Sequence, residues 1–245
     1  VNVPVRMIAD LSELASHPPD VIVVSVKNYS LDAVSKVIQD KFGDHPIIVA
    51  LQNGVENQAI LPKYFTKVIY GVVSYNAWLD EPGVIGYQKK GPLVLGTLNQ
   101  KLRPELEQIA GILNLGVETL VTPHLQDAAH SKMVINLTNS LTTLIGHKIR
   151  PISDPKIFQK LLTNLTYEGV KIVKAAGYHE CKLGGMPPWR TIRAAAKLPQ
   201  FLTKRIFEKN VQKMVMSSMA QDILQRGSAN SELESLNGYF LKLAE

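Results

Sequence analysis

One cysteine, Cys181, occurs in 245 residues, which excludes an internal disulfide framework and any cysteine-cluster metal site. Long apolar runs are missing as well. The longest, Val21–Val26 and Ile47–Leu51, are strand-sized and fall far short of the roughly 18 residues that cross a bilayer, so no membrane partner is expected. The opening stretch Val1-Asn2-Val3-Pro4-Val5-Arg6 lacks the basic-then-apolar layout of a signal peptide and an initiating Met. With the single cysteine, that points to a cytoplasmic protein, in which the triplets at Asn28, Asn136 and Asn164 are not glycosylated. The six histidines show no zinc-like spacing, so no metal is expected. Lys and Arg total 27 against 21 Asp and Glu, a net +6. No run of about five or six basic residues concentrates it, which argues against a nucleic-acid partner while leaving an attraction for small anions. G-x-S-x-G, a Walker loop and G-x-G-x-x-G are all absent.

What is present is a hydrophobic content of 45%, enough to exclude disorder. Val21–Val26 and Ile47–Leu51 read as strands buried on both faces of a parallel sheet, with Lys67–Ser74 a third. Helical spacing over Leu31–Phe42 and Asn57–Tyr64 separates them, and Gly43-Asp44-His45-Pro46 breaks the first helix. Strand, helix, strand, helix, strand is the signature of an α/β layer with right-handed crossovers. Pro82-Gly83 marks a turn. Val84–Tyr87 and Pro92–Gly96 are expected to form a hairpin around Lys89-Lys90-Gly91, followed by a helix over Lys101–Asn114 and a last strand at Val117–Val121. Beyond Thr122-Pro123 strand runs vanish, and helical spacing dominates Leu125–Ile145, Pro155–Ala176, Thr191–Leu198 and Leu233–Glu245. The expected organisation is an incomplete Rossmann-like α/β domain over 1–122 and an all-α domain over 123–245.

In open parallel sheets ligands bind outside the carboxyl ends of the strands. Lys27 and Gln52-Asn53-Gly54 stand at two such ends, Gly54 permitting a close backbone approach or a positive φ. A solvated Lys27 and a plain turn at Asn53 are the competing reading. In the helical half, Lys132, Asn136 and Asn139 lie at i, i+4 and i+7 with Ser140 beside them, a cation and two amides on one face. They could hold a carboxylate and a carbonyl oxygen, or form the wet face of an amphipathic helix. Met133, Val134, Ile135, Leu137, Leu141 and Leu144 make most of that helix apolar, which favours burial of the polar face. Ser217-Ser218-Met219 and Ser231-Glu232-Leu233-Glu234 add hydroxyls and carboxylates, the second also reading as an ordinary helix start.

Taken in order, Val24-Ser25-Val26-Lys27-Asn28-Tyr29, Leu51 through Asn57, Gly71 through Ala77, Pro82-Gly83-Val84, Lys132 with Asn136-Leu137-Thr138-Asn139, Ser217 through Asp222, Glu232 and Leu236-Asn237-Gly238 resemble the ketopantoate reductase (2-dehydropantoate 2-reductase) family over nearly the whole chain. The resemblance implies a Rossmann domain and a helical domain with the active site in the cleft between them. It implies NADPH-dependent reduction of the small 2-keto acid ketopantoate to pantoate, on the way to pantothenate and coenzyme A. Lys132 takes the position of the catalytic lysine and Glu232 that of an acid that contacts cofactor and orients the site. Lys27, Asn53 and Ala77 match cofactor positions. Asn53, Asn136 and Ser218 match substrate positions, and Ser140, with Asn139 one residue earlier, stands where many members carry a further Asn. A homodimer is the assembly to be tested. The segment from Asp222 to Glu232 is about two residues longer than usual. The family's first strand, glycine-rich phosphate loop and the residue reading the 2′-phosphate are expected upstream of Val1. Val1–Arg6 looks like a strand entered partway through a domain, and Leu236–Glu245 like a helix that stops without Gly, Asn or Pro as an ending signal, so both ends read as those of a fragment. Ser140 also fits a reductase of another branched 2-keto acid, and a ligand-binding homologue without the reaction is a further alternative.

Overall fold

The computed structural model describes residues 4–88, 91–145, 150–212, 216–225, 227 and 230–245. Strands β1 (Val21–Val24), β2 (Ile47–Ala50) and β3 (Val68–Val73) run parallel, joined by helices α1 (Asn28–Phe42) and α2 (Asn57–Ile60). Alternation of short β-branched runs with helical stripes dictates this crossover pattern. A ribbon of β4 (Asn76–Glu81) and β5 (Val84–Gln88) follows, then β6 (Leu93–Gly96), helix α3 (Arg103–Leu113) and β7 (Thr119–Val121). The main sheet has the order β1-β2-β3-β6-β7, with β6 antiparallel to β3 and parallel to β7. This is an α/β layer of Rossmann type, followed by helices, as the sequence implies.

Three local expectations need correction. β5 pairs with β4 across Pro82-Gly83, where Gly83 takes a φ of 84°, rather than with β6. All four residues of β6 are buried, and their apolar character draws that strand into the main sheet, while the exposed ribbon stands apart. Lys89 and Lys90, the expected turn of the other hairpin, lie outside the described residues, as do Val1–Val3 and His147. β1 is not buried on both faces, since Val21 and Val23 are 37% and 47% exposed at the sheet's edge. Pro4–Arg6 are exposed and belong to no strand, against the extended entry expected there.

Both sheet faces are covered. Val24, Ile48, Ala50 and Tyr70 pack with Leu31 and Ile38 of α1 on one face, and Val49, Ile69 and Leu95 pack with Leu106 and Ile109 of α3 on the other. Helix α4 (Leu125–Asn136) puts Leu125, Ala128 and Ala129 into the first of these cores, which ties the helical half to the sheet. Its next turns, through Met133 and Val134, join Leu137, Val170, Val173, Trp189 and Phe240 in a separate helical core. Besides α4, that core draws on α6 (Pro155–Ala175), α7 (Trp189–Lys197), α9 (Ser218–Ala220) and α10 (Tyr239–Ala244), while α5 (Thr138–Leu144) packs on α6 and α9, and α8 (Gln200–Gln212) on α6. A Cβ at Gly169 of α6 would lie 2.5 Å from Leu137 Cδ1, so a larger residue there would require the Leu137 side chain to shift at the α4–α5 junction.

The helix expected over Leu125–Ile145 divides at Leu137. Its second part is rich in hydroxyls that bond back to the preceding turn. Thr138 donates to the Ile135 carbonyl at 2.9 Å, Ser140 to that of Leu137 at 3.1 Å and Thr143 to that of Asn139 at 2.6 Å. Such bonds compete with the helix ladder and bend it.

Candidate active site

Gln52 knits two strand ends together. Its amide donates to the carbonyls of Val24 at 2.8 Å and Val26 at 3.1 Å, and its oxygen accepts from Asn57 at 3.3 Å. Asn28, at the start of α1, donates to the Asn53 carbonyl at 2.8 Å. Gly54 follows with a φ of 84°, and a Cβ there would meet the Ser235 carbonyl oxygen at 3.3 Å. The Asn53 side chain is thereby aimed at α4, where Lys132 Nζ donates to Asn53 Oδ1 at 2.6 Å. This contact joins the end of β2 to the first helix after the sheet. A narrow recess of about 10 Å³, lined by Asn53, Gly54, Asn57, Tyr70, Ala129 and Lys132, lies at the junction.

A second contact closes the same corner. Lys27 Nζ donates to Glu232 Oε2 at 2.8 Å and lies 2.9 Å from Asp222 Oδ2. Both acids are almost wholly buried, at 3% and 6% exposure. Burial works to lower the Lys27 pKa, but the two carboxylates outweigh it and raise it. Lys132 behaves oppositely. Burial pushes its amine down to about 8, Glu232 works against that fall and Lys27 adds to it. An amine in that range holds a proton near neutrality and can release it.

Asn136 is one turn beyond Lys132, and its buried Nδ2 has no partner among the described residues, a donor that a ligand oxygen would satisfy. Ser218 opens α9, which Ser217 caps by accepting from the Ala220 N–H at 3.2 Å. The Ser217 hydroxyl lies 3.4 Å from that of Thr143, so α9 packs on the short helix carrying Asn139 and Ser140. Lys27, Asn53, Lys132 and Glu232 are thus linked around one corner, with Asn136 next to it along α4. Ala77 stands on the exposed β4 ribbon. Asp222, Gln52 and Asn28 also shape the corner. Sequence reasoning assigned them no role, although Asp222 and Gln52 lie inside the quoted motifs and Asn28 directly follows Lys27.

Among the described residues no group of three or more His, Cys, Asp or Glu is placed to hold a metal, and no helix is long and apolar enough to cross a membrane.

A Rossmann-type sheet joined to a helical half, with a lysine and an asparagine meeting between them, defines a two-part α/β-and-helical fold with a candidate ligand site at the junction. Residues 2–100 match the model of the ketopantoate reductase PanE/ApbA family, and residues 124–245 match the model of its C-terminal part. The chain belongs to the ketopantoate reductase family. It is 27% identical over 228 residues to 2-dehydropantoate 2-reductase of Archaeoglobus fulgidus, covering 92% of this chain and 70% of that protein. To the enzyme of the same name from Pyrococcus abyssi it is 24% identical over 165 residues, 65% of this chain and 53% of the relative. Among solved structures, D-mandelate dehydrogenase with NADH and anilino(oxo)acetate superimposes with a TM-score of 0.71 at 17% identity, over 92% of this chain and 69% of that one. The dimeric ketopantoate reductase of Staphylococcus aureus gives a TM-score of 0.66 at 21% identity, over 92% and 70%. At these identities the structures speak for the fold.

Proposed function

We propose that this protein reduces ketopantoate to pantoate with NADPH, supplying pantothenate and coenzyme A synthesis, through a helical domain (123–245) closing on an α/β domain (1–122). The observation carrying this reading is the Lys132–Asn53 contact of 2.6 Å between the two halves. The nicotinamide group would supply hydride to the C2 carbonyl carbon. The residues placed to hold it are Lys27, Asn53 and Glu232 at the carboxyl ends of the strands, and the buried, unpartnered Asn28 Oδ1 beside them fits a site that awaits a donor. Ala77 is the fourth position the resemblance assigns to cofactor.

Negative charge gathers on the ketone oxygen as carbon is reduced. The Lys132 ammonium stabilises that charge and transfers its proton, yielding the alcohol, while Asn53 Oδ1 accepts from the ammonium and fixes its direction. Asn136 offers its unpartnered Nδ2 to the substrate, with Asn139, Ser140 and Ser218 on the adjoining wall. Lys27 and Glu232 set the charge on the cofactor side. We assign the protein to the cytoplasm and to a homodimer, the latter supported by the dimeric Staphylococcus aureus relative.

A second reading is reduction of a different branched 2-keto acid. Ser140 in place of the family's further Asn favours it. NADPH consumption with a panel of 2-keto acids tests both. The first reading expects ketopantoate to give the highest kcat/KM, and preference for another branched 2-keto acid would select the second. No consumption with any of them rejects both.

A further inference from the structure

Most of the chain's net charge is gathered in one place. Residues 189–212, which hold α7 and α8, carry six Lys and Arg against a single acid, Glu208, a net +5 of the whole chain's +6. The cations stand at helical spacing, so no basic run marks them. Arg190, Arg193 and Lys197, at i, i+3 and i+7 of α7, are all exposed, while Trp189 and Ile192 turn into the helical core.

Three contacts fix how α8 is turned. Gln159 of α6 donates its amide to the Thr203 hydroxyl at 2.6 Å, Gln200 donates to the Lys156 carbonyl at 2.8 Å, and the Phe207 ring lies 6.2 Å from that of Phe158. Gln200, Thr203 and Phe207 are therefore the face laid on α6. With about 3.6 residues per turn, the opposite face carries Phe201, Leu202, Arg205 and Lys209, with Ile206 at its margin. Phe201, Leu202 and Ile206 are 76%, 55% and 66% exposed. Glu208 lies 3.7 Å from Lys204, which leaves Arg205 and Lys209 without a carboxylate partner among the described residues.

We propose that the outward face of α8 docks on an anionic lipid surface, with Phe201, Leu202 and Ile206 entering the headgroup region and Arg205 and Lys209 meeting the lipid anions. The inference goes beyond the reductase reading and does not depend on it. Large apolar side chains interleaved with unpaired cations on one helix face are what an interfacial contact requires. The lack of a long apolar run excludes crossing a bilayer, not resting on one. A second copy fits this face less well, because a two-fold dimer sets the same patch against itself and the two positive faces repel. A nucleic acid matches the charge but leaves three large apolar side chains unused.

The test is co-sedimentation of the chain with vesicles of phosphatidylcholine alone and of phosphatidylcholine with about one-third phosphatidylserine. Binding is expected to the second kind only, and should weaken as salt is added. Each cation near such a surface contributes about fivefold, so the double variant Arg205→Gln, Lys209→Gln should bind about 25-fold more weakly. The double variant Phe201→Ser, Ile206→Ser should lose about tenfold or more. All four side chains are exposed, so both variants should keep the parent's melting temperature. Equal binding to both kinds of vesicle overturns the proposal, and so does binding to neither. Unchanged binding in the Phe201→Ser, Ile206→Ser variant also overturns it, since the face then takes any polyanion, duplex DNA included. A parent dimer that this variant dissociates, read by light scattering, overturns it as well, because a second copy then covers the face.

Discussion

Lys132 Nζ and Asn53 Oδ1 stand 2.6 Å apart although 79 residues separate them in sequence. The bond spans the two halves of the fold and gives the half-buried ammonium its neutral acceptor. Hydrogen bonds to a charged group contribute about 1.5–3 kcal/mol. Asn53→Ala should therefore lower kcat/KM for the 2-keto acid by about 10- to 100-fold and lower the melting temperature, checked by steady-state kinetics beside thermal unfolding. Full activity in this variant would show that Asn53 does not orient the amine.

Lys132 trades stability for chemistry. Its folded-state pKa of about 8 lies below the ordinary 10.5, so the folded protein binds the proton less tightly than the unfolded chain does. The cost is full below about pH 8 and disappears as pH rises to 10.5. Lys132→Met should thus be more stable than the parent at pH 7 by on the order of 2 kcal/mol after partial solvent screening, with the gap closing toward pH 10. Urea unfolding at the two pH values measures it. The same variant should lose about 100- to 10,000-fold in turnover, the usual contribution of a positioned acid.

His130 lies two residues upstream and is wholly buried. Its Nδ1 bonds the Gln126 carbonyl at 2.8 Å and must donate, so its Nε2 accepts from the Tyr239 hydroxyl at 2.8 Å. Tyr178 stacks on the ring at 3.7 Å between centroids. Burial lowers the His130 pKa, and the Gln126 carbonyl and Asp127 oppose that only in part. Stability from this group is complete above the ordinary 6.5 and is lost as pH falls through the lowered folded value. Tyr239→Phe leaves Nε2 buried without its donor and should cost about 1–3 kcal/mol at pH 7, read by denaturant unfolding.

Gly54 offers a backbone test of the same corner. It holds a φ of 84°, and a side-chain carbon placed there would lie 3.3 Å from the Ser235 carbonyl oxygen, so Gly54→Ala should cost about 1–2 kcal/mol in stability. Because the strain displaces the Asn53 loop, kcat should fall more than KM rises.

Much of this arrangement is legible in the sequence, for definable reasons. The runs Val21–Val24 and Ile47–Ala50, punctuated by Gly43 and Gly54, specify parallel strands with crossover helices, and Lys27 and Asn53 necessarily fall at the strand ends. Three features were not legible. Strand partners between β3 and β6 depend on which segment buries its apolar faces most completely, and the turn at Pro82-Gly83 competed with one expected at Lys89-Lys90-Gly91. The break at Leu137 depends on hydroxyls that bond backward, which periodicity does not register. Asp222 meets Lys27 from 195 positions away, at 2.9 Å, and no local pattern carries that information.

Delivery of the proton by Lys132 is tested most directly by the pH profile of kcat/KM for the 2-keto acid. With the amine at about 8, activity should fall tenfold per unit above that pH as the ammonium is lost. A rate that holds level past pH 9, or that declines identically in Lys132→Ala, would contradict it.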